Sequence, residues 1–326
     1  MKNDIYRKNI LSIENQLKKK NIELQGTPRR LKIDGIIISG IGGSGIPGEI
    51  FKNMAHKLGL DKPVVLWKNF GIPEVGFKNP LFIFLSHSGN TKEVLSGIEL
   101  AVKKYSRKRV CAGGSGGKLE IFSKKEKVLF AKYPGGDLVP RNATGYAFYA
   151  LIALLSSYIP GVSAEDYSWK KDDFKRYESL GKKVAGWCYK KVPLIYTTTS
   201  LSPIGTLFKI GINESAKQPA FANILPEICH NEIVSFRKKM FNSVVLLISG
   251  KSTTKEEEKT IKKIETLLQK KNIPCKKIKI NGKNLFETTW NGLLLSYWTS
   301  FFLSSKNNVD FQETMEIDYL KNITKF

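Results

Sequence analysis

Short continuous runs of apolar residues alternate along this chain with longer segments in which apolar residues recur every three or four positions. The short runs predict strands buried on both faces of a sheet, and the longer spacing predicts amphipathic helices. In the first half, strands are predicted at residues 36–38, 63–67, 81–85, 110–112 and 127–131. Helices are predicted at residues 4–20, 93–105 and 119–122, together with a long helix that Arg141 opens.

The same alternation resumes after a break at residues 160–173. This stretch contains Pro160, Gly161 and Ser163 before a charged run, which is typical of a linker. Beyond it, strands are predicted at residues 194–198, 244–249 and 276–280, and helices at 174–189, from Pro203 onward, and at 255–269, 285–305 and 311–323. Alternating strands and helices form parallel sheets covered on both faces. We therefore expect an α/β protein with two doubly wound parallel-sheet domains (αβα sandwiches) in tandem, at residues 1–160 and 161–326.

The positive net charge of the chain raises the possibility of anionic partners. Lys and Arg number 53 against 29 Asp and Glu, a formal net charge of +24. Such a charge can attract nucleic acid or anionic membranes. The excess is mostly lysine spread through every segment, which is typical of a solvated surface. A nucleic-acid binder is therefore the least favoured alternative, and its affinity would fall steeply with salt.

Other features indicate a cytoplasmic protein without a metal or a membrane partner. The apolar tracts at residues 147–159 and 293–303 are too short to span a bilayer, and the first residues lack the apolar core of a signal peptide. The cysteines form no Cys-x-x-Cys pair, so neither a zinc ribbon nor a disulfide framework is expected. Three scattered histidines cannot form a zinc cluster, and no acidic trio has ligand spacing.

A glycine-rich turn follows the first predicted strand. Residues 40–45 match Gly-x-Gly-x-x-Gly and lead into a predicted helix, as in dinucleotide-binding folds. That fold needs an acidic residue at the end of the next strand, where this chain has Trp, Lys and Asn at positions 67–69. A nicotinamide-dependent oxidoreductase is thus a disfavoured alternative. Glycines such as Gly43 let backbone N–H groups approach an anion, so the turn, with Ser44, predicts a phosphate site.

A second polar turn follows the strand at residues 81–85. Ser86, Ser88 and Thr91 place three hydroxyl groups at the same carboxyl edge of the predicted sheet. Hydroxyls together with helix-terminal N–H groups can hold a phosphate monoester. Alternatively, Ser88, Asn90 or Thr91 caps the next helix. Two such turns on one edge favour a binding site.

These motifs resemble a known family. Residues 42–45 (Gly-Gly-Ser-Gly) with residues 86–91 (Ser-His-Ser-Gly-Asn-Thr) resemble the sugar isomerase domain, a doubly wound fold that binds phosphosugars. Over essentially the whole chain, five further motifs closely resemble the bifunctional phosphoglucose/phosphomannose isomerases of archaea and some bacteria. They are Pro140-Arg141, Asn213-Glu214-Ser215-Ala216-Lys217, Leu225-Pro226-Glu227, His230-Asn231 and Ile317-Asp318-Tyr319-Leu320-Lys321.

The resemblance implies a reaction and a set of residues. Aldose–ketose isomerisation needs a base that moves a proton between C1 and C2, a group that opens the sugar ring, and a cation beside the enediolate. By resemblance, Glu214 is the base, His230 opens the ring from the neighbouring subunit of a homodimer, and Arg141 stabilises the oxyanion. The two turns are expected to bind the phosphate through Gly43, Ser44, Ser86, Ser88 and Thr91.

Two residues near the carboxyl end complete the implied site. Lys321 assists ring opening, and Thr314 lies seven residues earlier, about two helical turns away on the same face. A threonine there leaves room for rotation about C1–C2, so fructose 6-phosphate yields both glucose and mannose 6-phosphates. The resemblance implies a cis-enediol mechanism without metal or cofactor, serving glycolysis and gluconeogenesis. A non-catalytic phosphosugar-binding regulator is the main alternative; it would not need Glu214, His230 and Lys321.

One residue departs from the family pattern. His87 lies inside the second polar turn, where relatives more often carry tyrosine. The hydroxyl groups on either side of it are retained. We interpret the imidazole as pointing away from the phosphate.

Overall fold

The computed structural model describes residues 2–28, 30–238 and 241–323 and divides the chain into two compact units. The N-terminal unit is Leu11–Trp169, and the C-terminal unit combines Met1–Ile10 with Lys170–Phe326. The units therefore part at residue 169, within the predicted linker, whereas the domains proposed from sequence part at residue 160. Aromatic contacts explain why the first helix joins the C-terminal unit: the Tyr6 ring stacks on Phe311 with centroids 4.1 Å apart.

A mixed sheet forms the centre of the N-terminal unit. Its strands are β1 (Glu23–Gln25), β2 (Gly35–Ser39), β3 (Val64–Trp67), β4 (Pro80–Leu85), β5 (Val110–Gly114) and β6 (Leu129–Lys132), in the order β1-β6-β5-β4-β2-β3. Strands β2 to β6 run parallel, as predicted. The expectation of a wholly parallel sheet is wrong at one edge, because β1 pairs antiparallel with β6. With only three residues and two of them exposed, β1 has no apolar run to mark it.

The helices of this half of the chain are α1 (Lys2–Leu11), α2 (Ile13–Gln16), α3 (Ile46–Met54), α4 (Lys92–Tyr105), α5 (Gly117–Glu126) and α6 (Thr144–Tyr158). Alternate residues of the strands face α4 and α5 on one side and α3 and α6 on the other. The single helix predicted at residues 4–20 is wrong, because it breaks at Ser12 into α1 and α2. Ile5 and Leu11, assigned to its apolar face, are exposed. Arg141 lies in a 3-10 turn that precedes α6 and does not open the helix itself.

The sheet of the C-terminal unit is parallel throughout its described strands. They are β7 (Val192–Thr198), β8 (Phe221–Leu225), β9 (Ser243–Ser249) and β10 (Cys275–Lys279), in the order β10-β9-β7-β8. The sequence pattern missed β8, an edge strand whose first residue is exposed and whose next three are half-buried. With this sheet, the expected α/β class and doubly wound architecture are confirmed.

The remaining helices are α7 (Lys171–Cys188), α8 (Ser202–Ala216), α9 (Lys255–Lys270), α10 (Leu285–Asn307) and α11 (Met315–Ile323). Helix α10 is buried along most of its length and packs against both α7 and α8. Small residues allow this close approach: a Cβ atom at Gly181 of α7 would lie 2.5 Å from the Cβ of Trp298. No helix in the described part of the chain is long and apolar enough to cross a membrane.

The contact between α7 and α10 yields a stability prediction. In Gly181→Ala the added methyl group has no space against Trp298, so the free energy of unfolding should fall by about 1–3 kcal/mol. Gly186→Ala, on the same helix with nothing within 4 Å of the added Cβ, should raise it by up to about 1 kcal/mol. Urea unfolding measures both. Equal effects of the two substitutions would contradict this packing.

Candidate functional site

The glycine turn lies between β2 and α3 and packs directly on the Arg141 segment. Gly42–Ser44 form a 3-10 turn in which Gly42 has φ +55°. A Cβ atom at Gly43 would lie 2.6 Å from the backbone nitrogen of Arg141 and 2.7 Å from the carbonyl carbon of Pro140. Only glycine fits there. The structure therefore brings together two features that are about 100 residues apart in sequence.

The second turn holds its hydroxyl groups in bonds other than a helix cap. Ser86 Oγ lies 2.9 Å from Thr91 Oγ1, and Ser88 Oγ accepts a hydrogen bond of 3.2 Å from the backbone N–H of Asn90. Asn90 Oδ1 accepts from the backbone N–H of Lys118. Thr91 occupies the N-cap position of α4 without a side-chain cap. The capping alternative is therefore wrong for Thr91. Its hydroxyl group accepts no hydrogen bond from the first backbone N–H groups of α4.

A hydrogen bond joins the two turns. Ser44 Oγ accepts from the backbone N–H of His87 at 3.0 Å. The backbone of Gly116 packs against the turn after β4, so closely that a Cβ atom at Gly89 would lie 1.8 Å from the carbonyl oxygen of Gly116. The structure thus gathers the predicted phosphate residues and Arg141 at one edge of the sheet. We call this set the cradle: Gly43, Ser44, Ser86, Ser88, Thr91 and Arg141.

The imidazole of His87 is buried behind the cradle. Its Nε2 lies 2.9 Å from the carbonyl oxygen of Leu138, and its ring stacks on Tyr133 with centroids 5.8 Å apart. Burial lowers the pKa of His87, and the hydrogen bond to the Leu138 carbonyl opposes this shift only in part. The neutral ring therefore donates from Nε2 to that carbonyl.

Gln16 supports the Arg141 turn, and the sequence analysis missed it. Its side chain is fully buried; Nε2 donates to the carbonyl oxygen of Asn142 at 2.8 Å, and Oε1 accepts from the backbone N–H of Gly145 at 3.3 Å. Both partners flank the end of the turn that carries Arg141. Because Gln16 stands among polar residues in an amphipathic pattern, no sequence signal distinguishes it from a solvated side chain.

The C-terminal unit has its own cavity, of about 550 Å³. Glu214, in the last turn of α8, and Thr314, just before α11, both line it. Asn213 and Lys217 line it as well. The structure thus brings together the predicted base and the residue predicted to allow C1–C2 rotation.

Hydrogen bonds hold the end of α8 in place. Asn213 Oδ1 accepts from the backbone N–H of Ala220 at 2.8 Å. Gln218 Nε2 donates to the carbonyl oxygen of Cys188 at 2.9 Å, and Asn307 Nδ2 donates to that of Ala216 at 2.8 Å. These bonds tie the segment after Glu214 to α7 and α10, so the carboxylate stands on a fixed element.

His230 and Lys321 do not line this cavity. His230 is exposed and ends the 3-10 turn Glu227–His230, which follows β8. Lys321 lies on α11 with its Nζ 3.9 Å from Asp318 Oδ1 and a side chain 68% exposed. Thr314 precedes α11 and accepts the first backbone bond of that helix from Asp318, so it stands at the helix start and not inside it.

Within residues 2–28, 30–238 and 241–323, no group of three or more His, Cys, Asp or Glu side chains is arranged to hold a metal ion.

Comparison with known proteins places this geometry in a family. The model of the bacterial phospho-glucose isomerase C-terminal SIS domain matches residues 177–323. A bifunctional phosphoglucose/phosphomannose isomerase of Thermoplasma acidophilum is 30% identical over 321 residues, 97% of this chain and 98% of the relative. The chain belongs to the bifunctional phosphoglucose/phosphomannose isomerase family. The resemblance inferred from the motifs is thereby confirmed.

Two other similar proteins show how widely this architecture is used. A D-glucosamine-6-phosphate 4-epimerase of Sulfolobus acidocaldarius is 29% identical, with 87% of each chain covered. The crystal structure of tagatose-6-phosphate ketose/aldose isomerase from Escherichia coli has a TM-score of 0.58 at 14% identity, covering 95% of this chain and 90% of that one. At this identity the structural likeness shows the fold alone. Members and neighbours of the phosphoglucose/phosphomannose isomerase family thus include an enzyme named for a different reaction.

The cradle yields a binding prediction. In Gly43→Ala the new methyl group displaces the backbone of residues 140–141, so the affinity for fructose 6-phosphate should fall by about tenfold or more, the equivalent of about 1.4 kcal/mol. Gly76→Ala, in the same unit with nothing within 4 Å of the added Cβ, is the control. Isothermal titration calorimetry measures both. Undiminished affinity in Gly43→Ala would show that phosphate does not use this turn.

His87 yields a pH prediction. Because its folded pKa lies below the unfolded value of 6.5, the unfolded chain gains a proton first as the pH falls. The contribution of His87 to the free energy of unfolding is fully present above pH 6.5 and is lost as the pH falls through the lowered folded pKa. In His87→Gln, whose amide can still donate to Leu138, the free energy of unfolding should fall less between pH 7 and pH 5 than in the wild type. A wild-type pH response in His87→Gln would contradict the prediction.

Proposed function

We propose that this protein interconverts fructose 6-phosphate with glucose 6-phosphate and mannose 6-phosphate through a cis-enediol intermediate. The observation that carries the proposal is the shared cavity of Glu214 and Thr314 in a chain that belongs to the phosphoglucose/phosphomannose isomerase family. The substrates are those that the name of the Thermoplasma relative implies.

The phosphate group is assigned to the cradle. The hydroxyl groups and backbone N–H groups of the cradle donate hydrogen bonds and do not titrate. The N-terminus of α4 contributes the positive end of a helix dipole. Arg141, which is 4% exposed, supplies the one full positive charge of the set. A guanidinium in such a buried place stabilises an oxyanion more strongly than it would in water.

Glu214 is assigned the proton transfer. As a carboxylate it removes the proton from one of C1 and C2, and as a carboxylic acid, whose proton exchanges with solvent, it protonates the other carbon. The enediolate formed between these steps carries its negative charge on oxygen, and the stabilisation of this charge is assigned to Arg141. Thr314 leaves room for rotation about C1–C2, so the planar intermediate can be protonated on either face, which gives both aldoses.

The ring-opening step is assigned to His230 and Lys321. Their exposure in the single chain agrees with a role that is completed when other parts of the assembly approach them. We propose that the protein is a cytoplasmic homodimer in which His230 acts in the neighbouring subunit. Neither a metal, a cofactor, a nucleic acid nor a membrane has a part in this proposal.

Two other functions remain as defined alternatives. A phosphosugar-binding regulator would keep the cradle without turnover. The Sulfolobus relative favours a second enzymatic candidate, epimerisation of glucosamine 6-phosphate at C4. These candidates differ in the substrate that is converted and in the carbon atom whose configuration or oxidation level changes.

The test is isomerisation in deuterated water. We expect purified protein, after treatment with a chelator, to convert fructose 6-phosphate into both aldose phosphates with deuterium at C2, as followed by NMR. In Glu214→Gln the rate should fall by about a thousandfold or more while sugar-phosphate binding is retained, because the amide cannot take up a proton. Glu256→Gln, an exposed change on α9, is the control.

The other outcomes each point to a different function. Glucose 6-phosphate without mannose 6-phosphate would retain Glu214 as the base and remove the role of Thr314. Binding without turnover would indicate the regulator. Conversion of glucosamine 6-phosphate to its 4-epimer, with fructose 6-phosphate left unchanged, would replace the proposed function by the epimerase.

A further inference from the structure

Lys217 has a backbone conformation that usually belongs to glycine. It follows Ala216, the last residue of α8, with φ +51°, the left-handed region. Glycine or asparagine is common at this position of a helix end because a Cβ atom is disfavoured there. A lysine there carries a backbone cost that glycine would avoid, and for Lys217 the bonds of its side chain are what set it apart.

The side chain of Lys217 joins two segments that line the cavity. Its Nζ donates one hydrogen bond to the carbonyl oxygen of Glu214 and another to the carbonyl oxygen of Glu313. The first carbonyl belongs to the last turn of α8, where a positive charge is favourable beside the negative end of the helix dipole. The second belongs to the residue directly before Thr314. The ammonium group therefore ties the backbone of the base to the backbone next to Thr314.

We propose that Lys217 is a positioning residue that sets the ratio of mannose 6-phosphate to glucose 6-phosphate. The inference rests on the proposed function. If both aldoses arise from one planar intermediate, their ratio depends on how the Glu214 carboxylate is placed relative to the space beside Thr314. Lys217 controls that placement through two carbonyl groups and touches no reacting atom, so it positions and does not catalyse.

The chain offers a matched control. Lys127 follows α5 in the same left-handed conformation, with φ +55°, and its side chain is exposed in the N-terminal unit. Lys127→Gly and Lys217→Gly therefore relieve the same backbone cost. They differ in that only the second removes the tie between Glu214 and Glu313.

The first measurement does not depend on turnover. Amide hydrogen exchange by mass spectrometry should become faster at residues 313–318 in Lys217→Gly and stay unchanged there in Lys127→Gly. The backbone N–H of Asp318 bonds to the carbonyl oxygen of Thr314, so it reports on this segment directly. Unchanged exchange in Lys217→Gly would overturn the tie, whether or not the protein isomerises sugars.

The second measurement is the product ratio from fructose 6-phosphate. In Lys217→Gly we expect the ratio to shift by about threefold or more and kcat to fall more than KM changes, since the two hydrogen bonds that hold the backbone around the base are lost. Lys127→Gly should keep the wild-type ratio and kcat, and Lys217→Arg, which can still donate to both carbonyls, should restore part of the ratio.

The outcomes separate the two proposals. A wild-type protein that isomerises fructose 6-phosphate, with the same ratio in wild type and Lys217→Gly, would overturn the positioning role and leave the proposed function intact. A wild-type protein that forms neither aldose would overturn the proposed function and, with it, the role in the product ratio. Equal shifts in both glycine variants would also overturn the role of Lys217, because they would arise from backbone relief alone.

Discussion

The backbone of residues 140–141 occupies the space that a side chain at Gly43 would need, and the cradle depends on this contact. Buried Gln16 also holds the carbonyl of Asn142, so two separate contacts fix the Arg141 turn. The bond from the His87 N–H to Ser44 then adds the turn after β4. Backbone groups thus locate the donors before any ligand arrives. Preorganised donors lose little entropy when an anion binds, which suits a site that must hold a phosphate at one end of a reacting sugar.

The two units use similar parallel sheets but differ at one of the corresponding pairs of helix starts, α4 and α9. In the N-terminal unit, neighbouring strands β2 and β4 lead into α3 and α4, and no side chain caps α4. In the C-terminal unit, neighbouring strands β7 and β9 lead into α8 and α9. There Thr254 and Glu257 form a reciprocal capping box at the start of α9. The Glu257 carboxylate satisfies the helix start and would repel a phosphate. This difference in caps, and not the fold, supports the assignment of phosphate to the N-terminal unit alone.

Much of the fold and part of the site follow from sequence, and the misses have physical causes. Buried central strands such as β4 and β9 are marked by continuous apolar runs, because both of their faces are covered. The edge strands β1 and β8 are short or half-exposed, so periodicity cannot distinguish them from loops. The meeting of the two turns was predictable because both follow parallel strands of one sheet, whereas Arg141 was named only through the family resemblance. The roles of Gln16 and Lys217 were not predictable, since their importance comes from carbonyl groups that only tertiary structure brings near them.

The net charge of +24 says little about function, because lysines with very different surroundings contribute equally to it. Lys127 and Lys217 have the same residue type, the same helix-end position and the same left-handed backbone. One side chain extends into solvent, and the other folds back onto two carbonyl oxygens beside the candidate base. The net charge includes both lysines equally, although only one of them has these bonds. In the cradle, moreover, the donors are hydroxyls, backbone N–H groups and the buried Arg141, with no lysine in the set. Under the proposed assignment, recognition of the phosphate is therefore a property of local geometry, and the surrounding lysines raise at most the rate at which anionic sugars reach the cradle.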